Sequence, residues 1–402
     1  MAERASFFAV VGVCLYLVGI AAPWEPATDI PLAVLALLSL VAVISGCCTR
    51  TVTGDRITPA VFFFVASLVI SAVLSTQSRG SLELSAPMLP GILIFLVVSR
   101  LFGKMRDFRW LYLTFTAQGL ALGAWLAWIA LTHPGSQPAV WMQTARLPLL
   151  LVPNDVTWLC LIAPFGLMRF LHKPRSVTGI VSLASLALTL AVACVFQSRG
   201  AILALASSVF FGVALFRPRL ALRSTALVLL LILFIDGLGG FPAISRVFNR
   251  WTWTQRLPLW ICAGKMFLEA PLFGQGPHLF GARYQIYRSS MVLPEWITTD
   301  PRFTPWAHNL YLEVLAEQGA VGLTVLLALL AISISQAWRL RQHEVEEVRL
   351  LSNSVLAALL SFCISAAIEL TLLRLWVVVL LFVLLGTIAR LSSTTPIKED
   401  FT

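Results

Sequence analysis

The chain has 402 residues, of which 58% are hydrophobic and 12% are charged, and its mean hydropathy is +0.87. This composition excludes an ordinary soluble domain and is typical of a protein that crosses a membrane several times. The formal net charge of +10 at pH 7 does not indicate nucleic-acid binding, because the Lys and Arg residues lie mostly in short loops between apolar runs.

Apolar runs recur along the chain, and a helix of about 20 residues crosses a hydrocarbon core of ~30 Å. The runs are continuous rather than alternating, which favours helices over a β-barrel. The sequence therefore predicts an all-α polytopic membrane protein of about twelve transmembrane helices. The predicted spans are 5–22, 31–48, 58–75, 88–101, 110–131, 153–171, 178–196, 201–216, 222–238, 318–338, 350–371 and 375–391.

Basic residues concentrate in alternate loops, such as "RLFGKMRDFR", "HKPR", "RPRLALR" and "WRLRQHEVEEVR". The positive-inside rule predicts that these loops and both termini are cytoplasmic. Spans one to nine then occupy residues 1–238, spans ten to twelve occupy 318–391, and 392–402 form a cytoplasmic tail. Residues 239–317 become one long external segment between spans nine and ten.

The external segment is rich in Trp and Arg, and "WTWTQRLPLWICAGKMFLEA" (251–270) has roughly helical spacing. Two compatible interpretations are an interfacial helix in the headgroup layer and a lid over a site for an anionic lipid. The following "EAPLFGQGPHLF" (269–280) predicts a flexible loop that approaches a ligand. Its GxG follows no βα unit, which excludes a dinucleotide site.

Arginines at the external ends of helices are candidates for binding an anion. Arg199, in "CVFQSRGAILAL", stands between two spans joined by a minimal turn, and the amides of a new helix together with a guanidinium make an anion site. Simple snorkelling to the interface is the alternative. Arg79 lies in a second "SRG", in an ordinary loop, and Arg146 and Arg374 are further candidates.

Two more candidates lie in the external segment. Arg256 precedes Pro258, which starts or kinks a helix. His308, followed by Asn309, directly precedes a membrane helix in "TPWAHNLYLEVLAEQGAVG". An isolated His is more often a structural hydrogen-bonding residue, but near arginines it would stay neutral and able to accept a proton.

Several familiar signatures are missing from the sequence: there is no HExxH, no P-loop and no pair of external carboxylates suited to Mg²⁺. We therefore expect no metal and no other cofactor, with arginines binding any phosphate directly. Glu369 is the clearest charge inside the apolar runs. So few charges, and no paired broken segments, argue against a proton-coupled transporter or a flippase for lipid-linked sugars.

Three stretches carry a family resemblance: "SRGA" (198–201), "RLPLWICAGKMFLEAPLFGQGP" (256–277) and "AHNLYLEVLAEQGAVGL" (307–323). With the twelve-span layout and the long external segment, they resemble the O-antigen ligases. The broader superfamily also holds O-antigen polymerases and bacterial O-linked oligosaccharyltransferases, which remain alternatives here. The resemblance implies a fold of the C-type glycosyltransferase kind.

The resemblance also implies an activity. It implies a multi-pass transferase in the bacterial inner membrane with a periplasmic active site, surrounded by membrane lipids. The donor would be O-antigen on undecaprenyl diphosphate, and the acceptor would be a hydroxyl of lipid A–core. Arg199, Arg256 and His308, accompanied by Asn309, match the positions that the family motifs treat as functional. His308 would be the general base, and the arginines would stabilise the diphosphate.

Overall fold

The computed structural model describes residues 2–21, 32, 34, 36–37, 55–133, 137–145, 152–238, 254–291, 293–297 and 304–393. Within these ranges the regular structure is helical and no β-strand is present, which confirms the predicted all-α class. The α-helices are α1 (Ala2–Gly19), α2 (Ile57–Leu74), α3 (Ser78–Leu84), α4 (Met88–Leu101), α5 (Met105–Thr132), α6 (Pro138–Ala145), α7 (Thr157–His172), α8 (Val177–Val195), α9 (Arg199–Phe216), α10 (Pro218–Leu238), α11 (Leu257–Glu269), α12 (Phe280–Ser290), α13 (Leu310–Leu340), α14 (Glu346–Ala366) and α15 (Leu375–Leu391). One 3₁₀ turn, η1 (Pro153–Val156), precedes α7.

Seven of the described helices are long and apolar enough to cross a membrane, namely α2, α5, α8, α9, α10, α13 and α14. The pair α3 and α4, bent by 52°, makes an eighth if it counts as one span. Each predicted apolar run is covered by a described helix, except 31–48, which lies largely outside the described residues. The total of twelve spans stays a prediction.

Two shorter helices, α7 and α15, lie at the centre of the bundle. Every residue from Trp376 to Leu391 is buried, and α7 is buried along most of its length. A helix that is apolar on all faces is stable only when other helices surround it. Glycine permits the closest contact: a Cβ on Gly91 of α4 would lie 2.6 Å from a methyl carbon of Val378.

The two ends of the bundle differ in charge. At the end that we call the basic end, Arg109 pairs with Glu347 at 2.5 Å and His172 lies 3.4 Å from Glu346. These pairs join the starts of α5 and α14 to the end of α7. The opposite end, the site end, holds the starts of α7, α9, α13 and α15.

Helix α13 is broken near the site end. Gly319 has φ 66° and ψ −166°, values that no α-helix allows. The segment after α11 pairs with the interrupted backbone: Ala320 N–H donates to the carbonyl of Pro271 at 2.8 Å, and Gly276 N–H donates to the carbonyl of Glu317 at 2.8 Å. The break therefore leaves these backbone groups satisfied.

The glycines of "PLFGQGP" serve this contact. Gly274 has φ +69°, and a Cβ there would lie 2.2 Å from the carbonyl carbon of Glu317. The Glu317 carboxylate in turn accepts the N–H of Phe280 at 2.9 Å, at the first turn of α12. The expectation of a flexible loop awaiting a ligand is wrong for these glycines, because they pack against the backbone of α13.

Candidate active site

A buried carboxylate joins two of the arginine and histidine candidates. Glu369, in the turn between α14 and α15, is 2% exposed. Its Oε2 accepts a hydrogen bond from Nη2 of Arg256 at 2.9 Å, and the carboxylate lies 3.3 Å from Nδ1 of His308. Arg256 directly precedes α11, and His308 comes two residues before α13. Side chains from two separate motifs therefore meet on one anion.

Cations determine the charge of this carboxylate. Burial by itself would raise the pKa of Glu369, but the His308 imidazole and the guanidinium groups of Arg374 and Arg256 outweigh burial and lower that pKa to about 2. Glu369 is therefore ionised at neutral pH. The sequence predicted only arginines near His308, whereas in the structure a carboxylate also contacts the ring.

Arg374 is held in a second ion pair beside the first. Its Nη1 lies 2.5 Å from Oδ1 of Asp155, which also accepts the indole N–H of Trp376 at 2.8 Å. Nη2 of Arg374 is 3.9 Å from Oε1 of Glu369. The guanidinium also lies over the ring of Trp306, 4.6 Å from its centroid, in a cation–π arrangement.

A side-chain amide also donates a hydrogen bond to the Glu369 carboxylate. Nδ2 of Asn154, in η1, donates to Oε1 of Glu369 at 2.8 Å. Oδ1 of the same amide accepts from the Ser198 hydroxyl at 3.1 Å. Ser198 is the N-cap of α9 and accepts the N–H of Ala201 at 3.3 Å. The carboxylate is thus linked to the start of α9 through Asn154 and Ser198.

The start of α9 borders Glu369. Arg199 is the first residue of this helix, and a Cβ added to Gly200 would lie 3.4 Å from Cβ and Cγ of Glu369. The absence of a side chain on Gly200 lets the helix terminus approach the carboxylate. Glu369 and the side chains around it, Asn154, Arg256, His308 and Arg374, form what we call the Glu369 cluster. The positive end of the α9 dipole lies at this cluster, where it favours an anion.

Two residues at the cluster hold a backbone conformation that non-glycine residues rarely adopt. His308 has φ 51°, and Gln197, just before the N-cap of α9, has φ 53°. Such conformations cost on the order of 1–3 kcal/mol each and concentrate at functional sites. Their position at the ends of two site segments fits a site whose geometry is set by the surrounding fold.

The remaining candidates lie apart or serve the backbone. Oδ1 of Asn309 accepts the N–H groups of Tyr311 and Leu312 at 3.0 and 3.1 Å, so this residue caps α13. Arg79 forms an exposed i,i+4 pair with Glu83 on α3, outside the Glu369 cluster. Arg146 lies outside the described residues.

The positive charge at the site comes from arginines. Among the residues that the structure describes, no group of three or more His, Cys, Asp or Glu side chains is placed to hold a metal ion. The sequence did not predict the roles of Glu369, Asn154 and Asp155. The signal that could have found Glu369 is its buried charge at the end of a span, where an ionised group needs a cationic partner.

A model of a known protein family matches the middle of the chain. Residues 184–327 match the family model described as O-antigen ligase. No curated protein matches the chain. The matched range contains Arg199, Arg256, His308 and Asn309, whereas Asn154 and Glu369 lie outside it. The match confirms the resemblance drawn from the motifs and supports a membrane glycosyltransferase of the O-antigen ligase and polymerase type.

Proposed function

With the O-antigen ligase match of residues 184–327 as the premise, we propose that this protein transfers O-antigen from undecaprenyl diphosphate to a hydroxyl of lipid A–core. The reaction takes place at the periplasmic face of the bacterial inner membrane and inverts the anomeric carbon. His308 is the general base, and Arg256 and Arg199 stabilise the diphosphate. No metal or other cofactor takes part.

The observation that carries the proposal is the sharing of Glu369 by Arg256 and His308. Arg256 uses Nη2 for the carboxylate, and the described part of the chain offers no hydrogen bond to its Nε or Nη1. Nδ1 of His308 faces the carboxylate, while Nε2 has no hydrogen-bond partner among the described residues. One buried anion thus orients a guanidinium and an imidazole and leaves both able to bind substrate.

The ring nitrogens of His308 have different tasks. An ionised Glu369 favours a proton on Nδ1, and Nε2 then carries the lone pair that accepts the acceptor's proton. The indole N–H of Trp306 lies 3.3 Å from the same Nδ1 and can only donate a hydrogen bond. It therefore favours the opposite tautomer, in which Nδ1 carries no proton, and competes with Glu369 for this nitrogen. The carboxylate also stabilises the imidazolium that forms on proton transfer.

We assign the stabilisation of the negative charge on the leaving diphosphate to Arg256 and the start of α9. The acceptor oxygen attacks the anomeric carbon, the bond from that carbon to the diphosphate oxygen breaks, and the acceptor's proton passes to Nε2 of His308. Negative charge grows on the leaving diphosphate, and a preorganised donor aimed at such a charge is worth about 3 kcal/mol. Attack from the side opposite the leaving group gives inversion.

The charge difference between the two ends of the bundle supports the proposed orientation in the membrane. The cluster lies at the site end, and the basic loops lie at the other end, which the positive-inside rule assigns to the cytoplasm. We retain the division into spans 1–238 and 318–391, a periplasmic segment 239–317 and a cytoplasmic tail 392–402. Arg256, α11 and α12 belong to the periplasmic segment.

Reconstitution tests the proposal. Purified protein is incubated with lipid-linked O-antigen and lipid A–core, and the products are separated on a gel. A ladder on lipid A–core is expected, with the same yield in the presence of a chelator. A lengthened lipid-linked chain instead would identify a polymerase, and a chelator-sensitive yield restored by Mg²⁺ would contradict the metal-free mechanism.

Variants separate chemistry from simple anchoring to lipid headgroups. His308→Ala is expected to abolish transfer, and Arg256→Lys is expected to lower it strongly, because an ammonium lacks the planar fork that binds a carboxylate and a phosphate together. Arg175→Lys, in the exposed loop between α7 and α8, is the matched control and keeps full activity. Full activity of Arg256→Lys would favour anchoring.

A further inference from the structure

Asn154 occupies a position between the start of α9 and the carboxylate of Glu369. Its Nδ2 donates to Oε1 of Glu369 at 2.8 Å, and its Oδ1 accepts from the hydroxyl of Ser198 at 3.1 Å. Both ends of the amide are therefore used, so the hydrogen-bond pattern itself fixes which way the amide faces. Asn154 forms no hydrogen bond with His308 or Arg256, the two groups assigned to the substrates.

The hydrogen bond to Asn154 determines how the carboxylate of Glu369 can rotate. Oε1 is held by the amide, while Oε2 accepts from Arg256 at 2.9 Å. Only with both oxygens fixed does the carboxylate present a stable edge to Nδ1 of His308, 3.3 Å away. Without the amide, the carboxylate is free to turn toward Arg374, whose Nη2 is already at 3.9 Å.

We propose that Asn154 is a positioning residue that acts through Glu369 to hold the imidazole of His308 in the orientation needed for proton transfer. The inference rests on the proposed function. It concerns a residue outside the segment that matches the family model. It predicts that removing this amide changes the proton affinity of His308 without changing the ring.

The charges around Glu369 determine what its carboxylate does once the amide is removed. They come from the segments packed against it: Asp155 of η1, Arg199 at the start of α9, Arg256 before α11, His308 before α13, Glu313 within α13, which accepts a hydrogen bond from Thr371, and Arg374 before α15. The arginines in this set compete with His308 for the carboxylate. We therefore expect the carboxylate in Asn154→Leu to turn toward Arg374 and to stabilise the imidazolium of His308 less.

The first test needs no substrate. His308 is modified with diethyl pyrocarbonate over a range of pH, and its extent of reaction is followed by mass spectrometry. Asn154→Leu is expected to lower the pH midpoint of the reaction by about one pH unit, since a carboxylate that has turned toward Arg374 stabilises the imidazolium less. Asn353→Leu, which removes an amide that accepts a hydrogen bond from Arg341 at the basic end, is the control and leaves the midpoint in place.

An unchanged midpoint in folded Asn154→Leu overturns the proposal. This measurement does not depend on transfer, so it tests the role of Asn154 even if the wild-type protein forms no product on lipid A–core. The absence of that product would contradict the proposed function alone.

The second variant covers the case in which Asn154→Leu does not fold. Asn154→Ala is expected to lower kcat about 10-fold, with KM for the lipid-linked donor within twofold of wild type, because the amide orients the base and does not bind the diphosphate. An unchanged kcat, or a loss confined to KM, overturns the proposal.

Discussion

The charge of Glu369, and not merely its shape, is what Arg256 and His308 share. Glu369→Gln keeps the size and one carbonyl oxygen, but leaves Arg256, and His308 once it is protonated, without an anion. We expect kcat for transfer to fall about 100-fold, because the imidazole loses the partner that orients it and stabilises its protonated form. Glu347→Gln, which removes a half-exposed ion pair at the basic end, should transfer at the wild-type rate. Equal activity of the two variants would remove Glu369 from the mechanism.

The same carboxylate links stability to acid. Its pKa in the folded protein, about 2, lies below the ordinary value of 4.5, so its ionised form is favoured by folding, on the order of 3 kcal/mol. That contribution is present above pH 4.5 and is lost as pH falls through 2. The melting temperature of wild type in detergent should therefore exceed that of Glu369→Gln by most at neutral pH. The difference should vanish near pH 2, and a constant difference would show that Glu369 is not the titrating group.

The sequence could nominate Arg256 and His308 because each stands in a short contiguous motif. It could not nominate their common partner, which lies 61 residues beyond His308 and 113 beyond Arg256. Contacts at such separations leave no periodic trace in a single sequence. Asn154 was beyond reach for the same reason, because it lies 215 residues from Glu369 and resembles any polar residue at the start of a helix.

At the scale of elements, the break in α13 is where the segment after α11 is joined to the bundle. The sequence predicted a span over 318–338, whereas the helix runs over Leu310–Leu340 with a non-helical residue at Gly319. The apolar period indicated the helix, but a glycine inside a helical pattern does not reveal that another segment pairs with the backbone there. The helix therefore begins close to His308, and Asn309 caps it.

Glycine is required at the break, which a pair of substitutions can show. A Cβ at Gly319 would lie 2.4 Å from the backbone of Leu272, at φ +66°. Gly319→Ala should therefore lower the melting temperature by several degrees and reduce transfer, since the start of α13 carries His308. In α11, Gly264 has open space at the same position, and Gly264→Ala should be neutral or stabilising by about 0.4–1 kcal/mol. Equal melting temperatures for the two variants would contradict this account of the break.

At the scale of the molecule, the distribution of charge separates two ends with different tasks. Basic residues of the described chain gather at the basic end and include Arg100, Lys104, Arg106, Arg109, Arg169, Lys173, Arg175, Arg217, Arg219, Arg223, Arg339, Arg341, Arg349 and Arg390. At the site end, Arg256 and Arg374 each face a buried carboxylate. We expect the charge at the basic end to determine orientation in the membrane, whereas Arg256 and Arg374 at the site end are paired with carboxylates.

This asymmetry predicts which residues are reachable from outside the cell membrane. In a cysteine-free background, Ser289→Cys at the exposed end of α12 and Arg175→Cys in the exposed loop between α7 and α8 are compared. A membrane-impermeant maleimide applied to intact spheroplasts should label Ser289→Cys and leave Arg175→Cys unlabelled until the membrane is broken. The physical reason is that short basic loops are retained in the cytoplasm during insertion, whereas long segments are translocated regardless of their charge. Labelling of Arg175→Cys in intact spheroplasts would place the basic end outside and the Glu369 cluster on the cytoplasmic side, away from the lipid A–core acceptor that the proposed reaction needs.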